Sequence, residues 1–511
     1  MNKPWHPSLP TGGIARILMV LGWGVTAFLV ACAPVGPAYQ PPRPELPSAW
    51  SGIRAATAAP AGGEELGQWW TLFNDPLLDS LLKRAVAANL EVRIARARIL
   101  EARARYRLTT ALAAPAMGVA GSYANTRRSE NAGSSNGTTT QDLFQAGFDA
   151  GWELDLFGGA RRAAEAAEAR LAAAGEESRD VLVSLAAEVA RNYLELRGSQ
   201  QRLATARENI VVQEKILELV RGCRQSGLGN GLEVAQAETQ LALTRAQLPA
   251  LENSVGQSIY RLSLLAGLPP LALREELAAP MELPARPAWV PGTLPSELLR
   301  RRPDIRLAER QLAVATADIG VATAELFPRF SLTGLVGLQS INLSDLLSSG
   351  SRYWTVGPTV RWSLLDGGRV RANIDLSQAR REEAQAAYEK AVLTALGEVE
   401  TALLALAREE ETRRTLVEAV AAGERAMDLA SGRYGAGLAG FLDVLQGERA
   451  LCQSRDQLVQ SEQRLAVDLV ALFKALGGGW DMGSEVVATV SAGAAMADPA
   501  TQSTPWGDVK K

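Results

Sequence analysis

The sequence predicts a mixed α and β membrane protein: a short β-barrel, with four strands from each chain and twelve in a trimer, continuous with a long α-helical barrel. Three observations predict it. First, the chain repeats itself. Residues 223–270 and 433–480 align without a gap at an offset of 210, so Gly227-Leu228, Glu233-Val234 and Gly267 return as Gly437-Leu438, Asp443-Val444 and Gly477. Second, two long stretches carry coiled-coil spacing. Third, four segments of about ten residues alternate apolar and polar side chains, the length of a membrane-crossing strand. A repeat this long is not a solenoid unit. It reads as a duplicated half-molecule, two tandem repeats offset by about 210 residues, and one architecture must serve both.

The chain opens with a targeting segment, residues 1–31. Lys3 and Arg16 precede the apolar run Ile17–Val30, which is too short to span a bilayer. It ends in Leu29-Val30-Ala31-Cys32, as a secretory signal does. That ending resembles a bacterial lipobox, in which Cys32 takes a covalent lipid and becomes the first mature residue. Ordinary cleavage beside an incidental cysteine is the plainer alternative. No Asp follows Cys32, which in the lipoprotein pattern favours the outer membrane. Residues 32–61, rich in Pro and Ala, predict an extended tether.

Composition excludes several chemistries. The only histidine, His6, lies in the targeting segment, so the mature chain has no Ser-His-Asp, Cys-His or His-metal site. No metal and no cofactor beyond the lipid is expected. A net charge of −3 gives no basic footprint for nucleic acid. Cys223 and Cys452 could form a disulfide in an exported protein, but neither position is shared by the two repeats, which favours two small, partly buried residues.

The first repeat, residues 62–268, opens with a short helix over Pro76–Ala88, capped by Asn74-Asp75 with Pro at the first turn. A helix over Asn89–Ala113 stops before Pro115. Strands follow at Ala116–Thr126 and Leu143–Phe157, on either side of a polar loop, Arg128–Gln141. Gly158-Gly159 breaks the second strand. Ala160–Gly222 is then one helix of about 95 Å, with Leu182, Val189, Leu196, Leu203, Ile210 and Leu217 at heptad spacing. A Gly-rich turn, Gln225–Gly231, leads to a helix over Leu232–Ala266. The Pro-rich linker 269–295 joins the second repeat, 296–478: helix Pro303–Phe327, strands Arg329–Ser340 and Tyr353–Leu365, helix Val370–Gly432, turn Tyr434–Gly440 and helix Phe441–Leu476. Val392, Leu396, Val399, Leu403 and Leu406 keep the coiled-coil step. Residues 479–511 read as a tail disordered at its end.

Phe148, Ala150, Trp152 and Leu154 alternate with Asp149, Gly151, Glu153 and Asp155; Trp354, Val356, Val360 and Trp362 alternate with Thr355, Gly357, Thr359 and Arg361. A strand on a soluble core alternates likewise. Lengths near ten residues and Trp at strand ends favour a barrel with aromatic girdles, placing Asp149, Glu153, Asp155 and Arg361 toward the lumen. Four strands cannot close, and open edges are not tolerated in lipid. Closure calls for a homotrimer embedded in outer-membrane lipid.

Several stretches together are similar to the outer-membrane efflux protein family, in its lipoprotein branch, the outer-membrane factors of resistance-nodulation-division pumps. They are Val35-Gly36-Pro37-Ala38-Tyr39, Trp69-Trp70-Thr71-Leu72-Phe73-Asn74-Asp75-Pro76, Ala88-Asn89-Leu90-Glu91-Val92-Arg93, Trp152-Glu153-Leu154-Asp155-Leu156-Phe157-Gly158, Arg301-Arg302-Pro303-Asp304-Ile305 and Phe441-Leu442-Asp443-Val444-Leu445-Gln446. The resemblance covers essentially the whole mature chain. It implies a trimeric duct across the outer membrane and periplasm, docked on a periplasmic adaptor (membrane fusion) protein and an inner-membrane efflux transporter. It also implies that the helix-turn-helix tips close the periplasmic entrance, with Glu233, Tyr434 and Asp443 at gate positions. The chain departs from the family at Ala439, where some members carry Arg, and at Gln446, where some carry Asp.

The turn glycines Gly227, Gly229, Gly435 and Gly437 suit positive φ, and Asp443 suits the N-cap of the last helix. The expected function is passive conduction of drugs or other small toxic compounds to the exterior, with no chemistry. A type I protein-secretion channel is the alternative within transport. A structural coiled-coil lipoprotein explains the heptads but not the strands, and an enzyme fits worst.

Overall fold

From a 22-residue helix onward, each half of the chain folds into the same succession of elements in a computed structural model whose described residues are 34–51, 58–59, 66–127, 140–227, 229–287, 290–291 and 295–481. The first half contains α1 (Pro76–Ala88), α2 (Leu90–Ala111), β1 (Ala116–Arg127), β2 (Thr140–Leu154), α3 (Gly159–Gln225) and α4 (Gly231–Leu265). The second contains α5 (Pro303–Ala324), β3 (Arg329–Ser340), β4 (Arg352–Arg361), α6 (Arg369–Gly435) and α7 (Phe441–Ala475). Matching helices have equal lengths: 22 residues for α2 and α5, 67 for α3 and α6, 35 for α4 and α7. The signal segment, Cys32 and the tail from residue 482 lie outside the described residues.

Local chemistry sets the boundaries. The Asp75 carboxylate accepts from the backbone N–H of Leu77 and Leu78 at 2.9 and 3.2 Å, capping α1 ahead of Pro76. At the start of α3, Asp155 accepts from the N–H groups of Ala160 and Arg161 at 3.0 and 2.9 Å. At the start of α6, Asp366 accepts from Gly368 and Val370, both at 3.0 Å. These carboxylates end the strands earlier than the alternation predicts: β2 stops at Leu154 rather than Phe157, and β4 at Arg361 rather than Leu365. Two glycines turn the chain between the paired helices, Gly227 at φ 75° and Gly437 at φ 73°, a conformation that a Cβ makes costly. Gly229 and Gly435, expected to share it, do not have positive φ.

The chain forms two compact units, and each draws on both halves. The described residues of the first fall within 34–43, 99–174 and 307–388. Its centre is an antiparallel sheet in the order β1-β2-β3-β4, and the middle pairing, Trp152 opposite Leu332 and Phe148 opposite Val336, joins the two halves. Because side chains alternate across a pleat, the register sorts them onto two faces. One presents Met117, Val119, Phe148, Trp152, Leu332, Val336, Trp354, Val356 and Val360. The other presents Gly118, Asp149, Gly151, Glu153, Ser331, Thr333, Thr355 and Thr359. The apolar face is uncovered in the single chain: Val119 is 78% exposed and Trp354 75%. Trp152 donates its indole N–H to the Ala113 carbonyl at 3.1 Å, and Trp362 repeats the contact with Leu326 at 3.0 Å.

Over residues 34–51 the N-terminal segment has no helix or strand, and it is pinned. Val35 N–H donates to the Phe157 carbonyl at 3.0 Å, and the buried Arg162 guanidinium donates to the Val35 and Gly36 carbonyls at 3.1 and 3.2 Å.

The described residues of the second unit fall within 44–98, 175–306 and 389–481. Trp69, Trp70 and Phe73 form a 3-10 turn that the periodicity does not reveal, and Trp69 stacks on Phe473 with ring centres 5.0 Å apart. Leu182, Val189, Leu196 and Leu217 are buried on α3, and Val392, Val399 and Leu403 on α6, while Leu203, Ile210, Leu396 and Leu406 of the same stripes are half-buried.

Candidate functional site: the helix tips and the polar sheet face

The tips are where α3 turns into α4 and α6 into α7. At the first, Asn230 is the N-cap. Its side chain accepts from the Glu233 N–H at 3.0 Å, while the Glu233 carboxylate accepts from the Asn230 N–H at 3.3 Å. This reciprocal capping box satisfies two free donors of the first turn. Asn-x-x-Glu was its signal in the sequence.

The second tip is built differently. The N-cap of α7 is Gly440, which has no side chain to cap with, and Asp443 stands third in the helix, exposed. The expectation that Asp443 caps α7 is therefore corrected. Phe441 enters the helix because its ring is buried, so the boundary falls before it. Glu233 and Asp443 are thus equivalent, each one turn inside a helix start, where a carboxylate meets the positive end of the dipole.

An apolar cluster holds the tips together. Leu217 and Val220 of α3, Val234 and Leu241 of α4, and Phe441 and Val444 of α7 form its buried part. Tyr434 of α6 packs on it, edge to face with Phe441 at 5.8 Å. The Tyr434 hydroxyl is pushed up to about 12, first by burial and then by Cys223 and Glu233 beside it, and it shares a hydrogen bond with Cys223. Of the three residues expected to form a gate, the structure brings Tyr434 and Glu233 together, with Cys223 as an unforeseen third member. It leaves Asp443 exposed.

Polar links cross between the halves. Arg202 of α3 makes a two-pronged contact with Asp456 of α7, at 2.7 and 3.1 Å. Arg449 of α7 donates to Gln240 of α4 at 2.7 Å. Within each half, Arg245–Glu214 and its repeat Arg455–Glu424, at 2.5 and 2.6 Å, tie the paired helices. These ion pairs are exposed and contribute modestly.

On the sheet, Asp149 and Glu153 lie on the polar face with Thr333 and Ser331, and Arg361 lies there opposite Arg329. Asp155 does not. It stands beyond the end of β2 and is committed to capping α3, so it lines no strand face. Among the described residues, no three of His, Cys, Asp and Glu gather as a metal-binding group. Cys223 and Cys452 are free thiols.

Comparison with known proteins gives a consistent result. The family model described as outer membrane efflux protein matches residues 81–268 and 294–478. The chain is 34% identical to outer membrane protein OprJ of Pseudomonas aeruginosa over 486 residues, 94% of this chain and 98% of OprJ. It is 31% identical to TtgC of Pseudomonas putida, named a probable efflux pump outer membrane protein, over 90% of this chain and 96% of that one. Among solved structures, the outer-membrane channel OprN superposes with a TM-score of 0.83 at 36% identity, covering 88% of this chain and all of OprN.

The two thiols should differ in reactivity. Burial, with Glu448 beside it, pushes the Cys452 thiol up to about 12, so almost no thiolate exists at pH 8. Cys223 is half-buried at a tip. Maleimide labelling of the native protein at pH 8 should modify Cys223 at least ~10-fold faster than Cys452, and labelling of Cys452 should accelerate as pH rises toward 12 or on denaturation. Equal rates at pH 8 would contradict the burial argument.

Proposed function

The chain belongs to the outer membrane efflux protein family, and from that premise we propose how one chain contributes to a duct. It acts in the outer membrane as an exit channel for efflux, passing small molecules outward without a chemical step of its own. Three copies supply twelve strands and close the sheet, apolar face to lipid and polar face to water. Asp149, Glu153 and Arg361 then line the lumen. The α3–α4 and α6–α7 pairs of three chains form a periplasmic helical tube. Its tips meet a periplasmic adaptor and an inner-membrane transporter that supplies the energy. The cargo class is drugs or other toxic compounds.

One observation carries this reading: a sheet with two unpaired edge strands, apolar on one face and polar on the other. Every backbone group in lipid needs a partner, and a second and third copy provide them. The lipid on Cys32 is supported by the lipobox and by the pinning of Val35 and Gly36 a few residues later, which gives an anchored N-terminus a fixed seat.

In the trimer, Glu233 and Asp443 ring one mouth with six carboxylates, and Tyr434 buttresses it. Tyr434→Ala with Asp443→Ala should raise single-channel conductance in planar bilayers. Glu233→Gln with Asp443→Asn should lower cation preference by weakening the focused charge; Gln at 233 keeps the capping box. If both pairs conduct and select as wild type does, these residues are turn architecture only. Radiolabelled palmitate should mark the wild type and not Cys32→Ser; label retained in that variant refutes the lipid assignment.

A further inference from the structure

The polar face of the sheet carries two arginines with no counter-charge of their own. Arg329, the first residue of β3, and Arg361, the last of β4, are directly opposite each other in the register. Both are exposed, and neither enters an ion pair among the described residues. Like charges facing each other across a strand pair destabilise it. The carboxylates around this end of the sheet are engaged elsewhere. Asp155 accepts from the start of α3 and from the Arg161 side chain, and Asp366 accepts from the start of α6. Glu325 pairs with Arg369 at 3.3 Å.

Among the described strand residues, Glu153 is the carboxylate nearest to them on that face. It is opposite Ser331, two residues along β3 from Arg329. The next one, Asp149, is opposite Leu335, six residues from Arg329, or about 20 Å along the strand. That exceeds the screening length of about 8 Å at physiological ionic strength. The level between them presents Gly151, Thr333 and Gly357, which carry no charge. One end of the polar face thus has two arginines to one glutamate. Closed by three copies, it becomes a ring of six guanidinium groups with three carboxylates beside it. Rings of Arg or Lys select anions in water-filled pores, and the guanidinium fork matches the paired oxygens of carboxylate and phosphate.

We propose that Arg329 and Arg361 form an anion-attracting ring in the lumen, at the end of the barrel where α5 enters β3 and β4 leads to α6, and that the duct favours cargo bearing a carboxylate or phosphate group there. The inference rests on the closed trimer proposed above. It is independent of the tip carboxylates Glu233 and Asp443, which stay unchanged in its test.

The full-length protein, in planar bilayers and in mild detergent, tests it with inorganic pyrophosphate as the probe. Pyrophosphate should reduce the potassium chloride conductance of the wild type and should bind the solubilised trimer in calorimetry. Arg329→Gln with Arg361→Gln should weaken both effects at least ~5-fold, with the trimer and its β content intact. Arg329→Lys with Arg361→Lys keeps the charge and should retain most of each effect, a rescue that a purely structural role for the guanidinium groups does not give. Calorimetry needs no open channel, so a shut tip does not hide the result. Equal binding in the wild type and the Gln pair, or no binding to a wild-type trimer, would overturn the ring alone. A wild type that is monomeric in the same detergent would overturn the closed duct and the ring with it.

Discussion

The whole architecture depends on unpaired backbone groups at the edges of a four-stranded sheet. In water, β1 and β4 could leave their outer N–H and C=O groups to solvent. In hydrocarbon each unsatisfied group costs several kcal/mol, and β1 and β4 each present a whole row. The exposed apolar face, Met117 to Val360, calls for that hydrocarbon. The chain thus carries two demands, a lipid-facing surface and open edges, which the proposed trimer would meet together. The rest of the molecule follows. A helix of 67 residues follows the strands in each half, and each carries a stripe of buried Leu, Val and Ala.

Duplication makes the second demand easier to meet, because one element vocabulary is used twice. The central pairing, β2 with β3, is the joint between halves. The two halves meet again along α3 and α7, through Arg202–Asp456, and at the tips, through Tyr434 packed beside Glu233 and Cys223. The halves are nevertheless not equivalent. The first tip has a capping box and the second has Gly440 in the same place, so the second helix start lacks a side-chain acceptor. Only a few tenths of a kcal/mol separates Asn from Gly at an N-cap.

Long-period features were legible in the sequence because they rest on patterning. Heptad spacing gave α3 and α6, Pro and Gly punctuation gave α1 and the turns, and strict alternation gave both faces of the sheet. Features set by one or two residues were less so. Asp155 alternates correctly with Leu154 and Leu156, and nothing in that pattern distinguishes a strand residue from one bent back to cap a helix. Asp443 was placed at the cap because a helix boundary is blurred by a residue or two, and the burial of Phe441 decided it. Gln213 and Glu448, 235 residues apart, carry no local signal; their meeting is a product of tertiary packing alone.

The central claim is that edge strand β1 of one copy pairs with β4 of the next, and paired cysteines test it most directly. With Cys223 and Cys452 replaced by Ser, one cysteine is placed on β1 at 117 or 119 and one on β4 at 356 or 360, and the membranes are oxidised. Closure by three copies predicts that at least one combination gives a covalent ladder ending at the trimer, while single-cysteine controls remain monomers. No cross-link in any combination, or a ladder that runs past three, would contradict it.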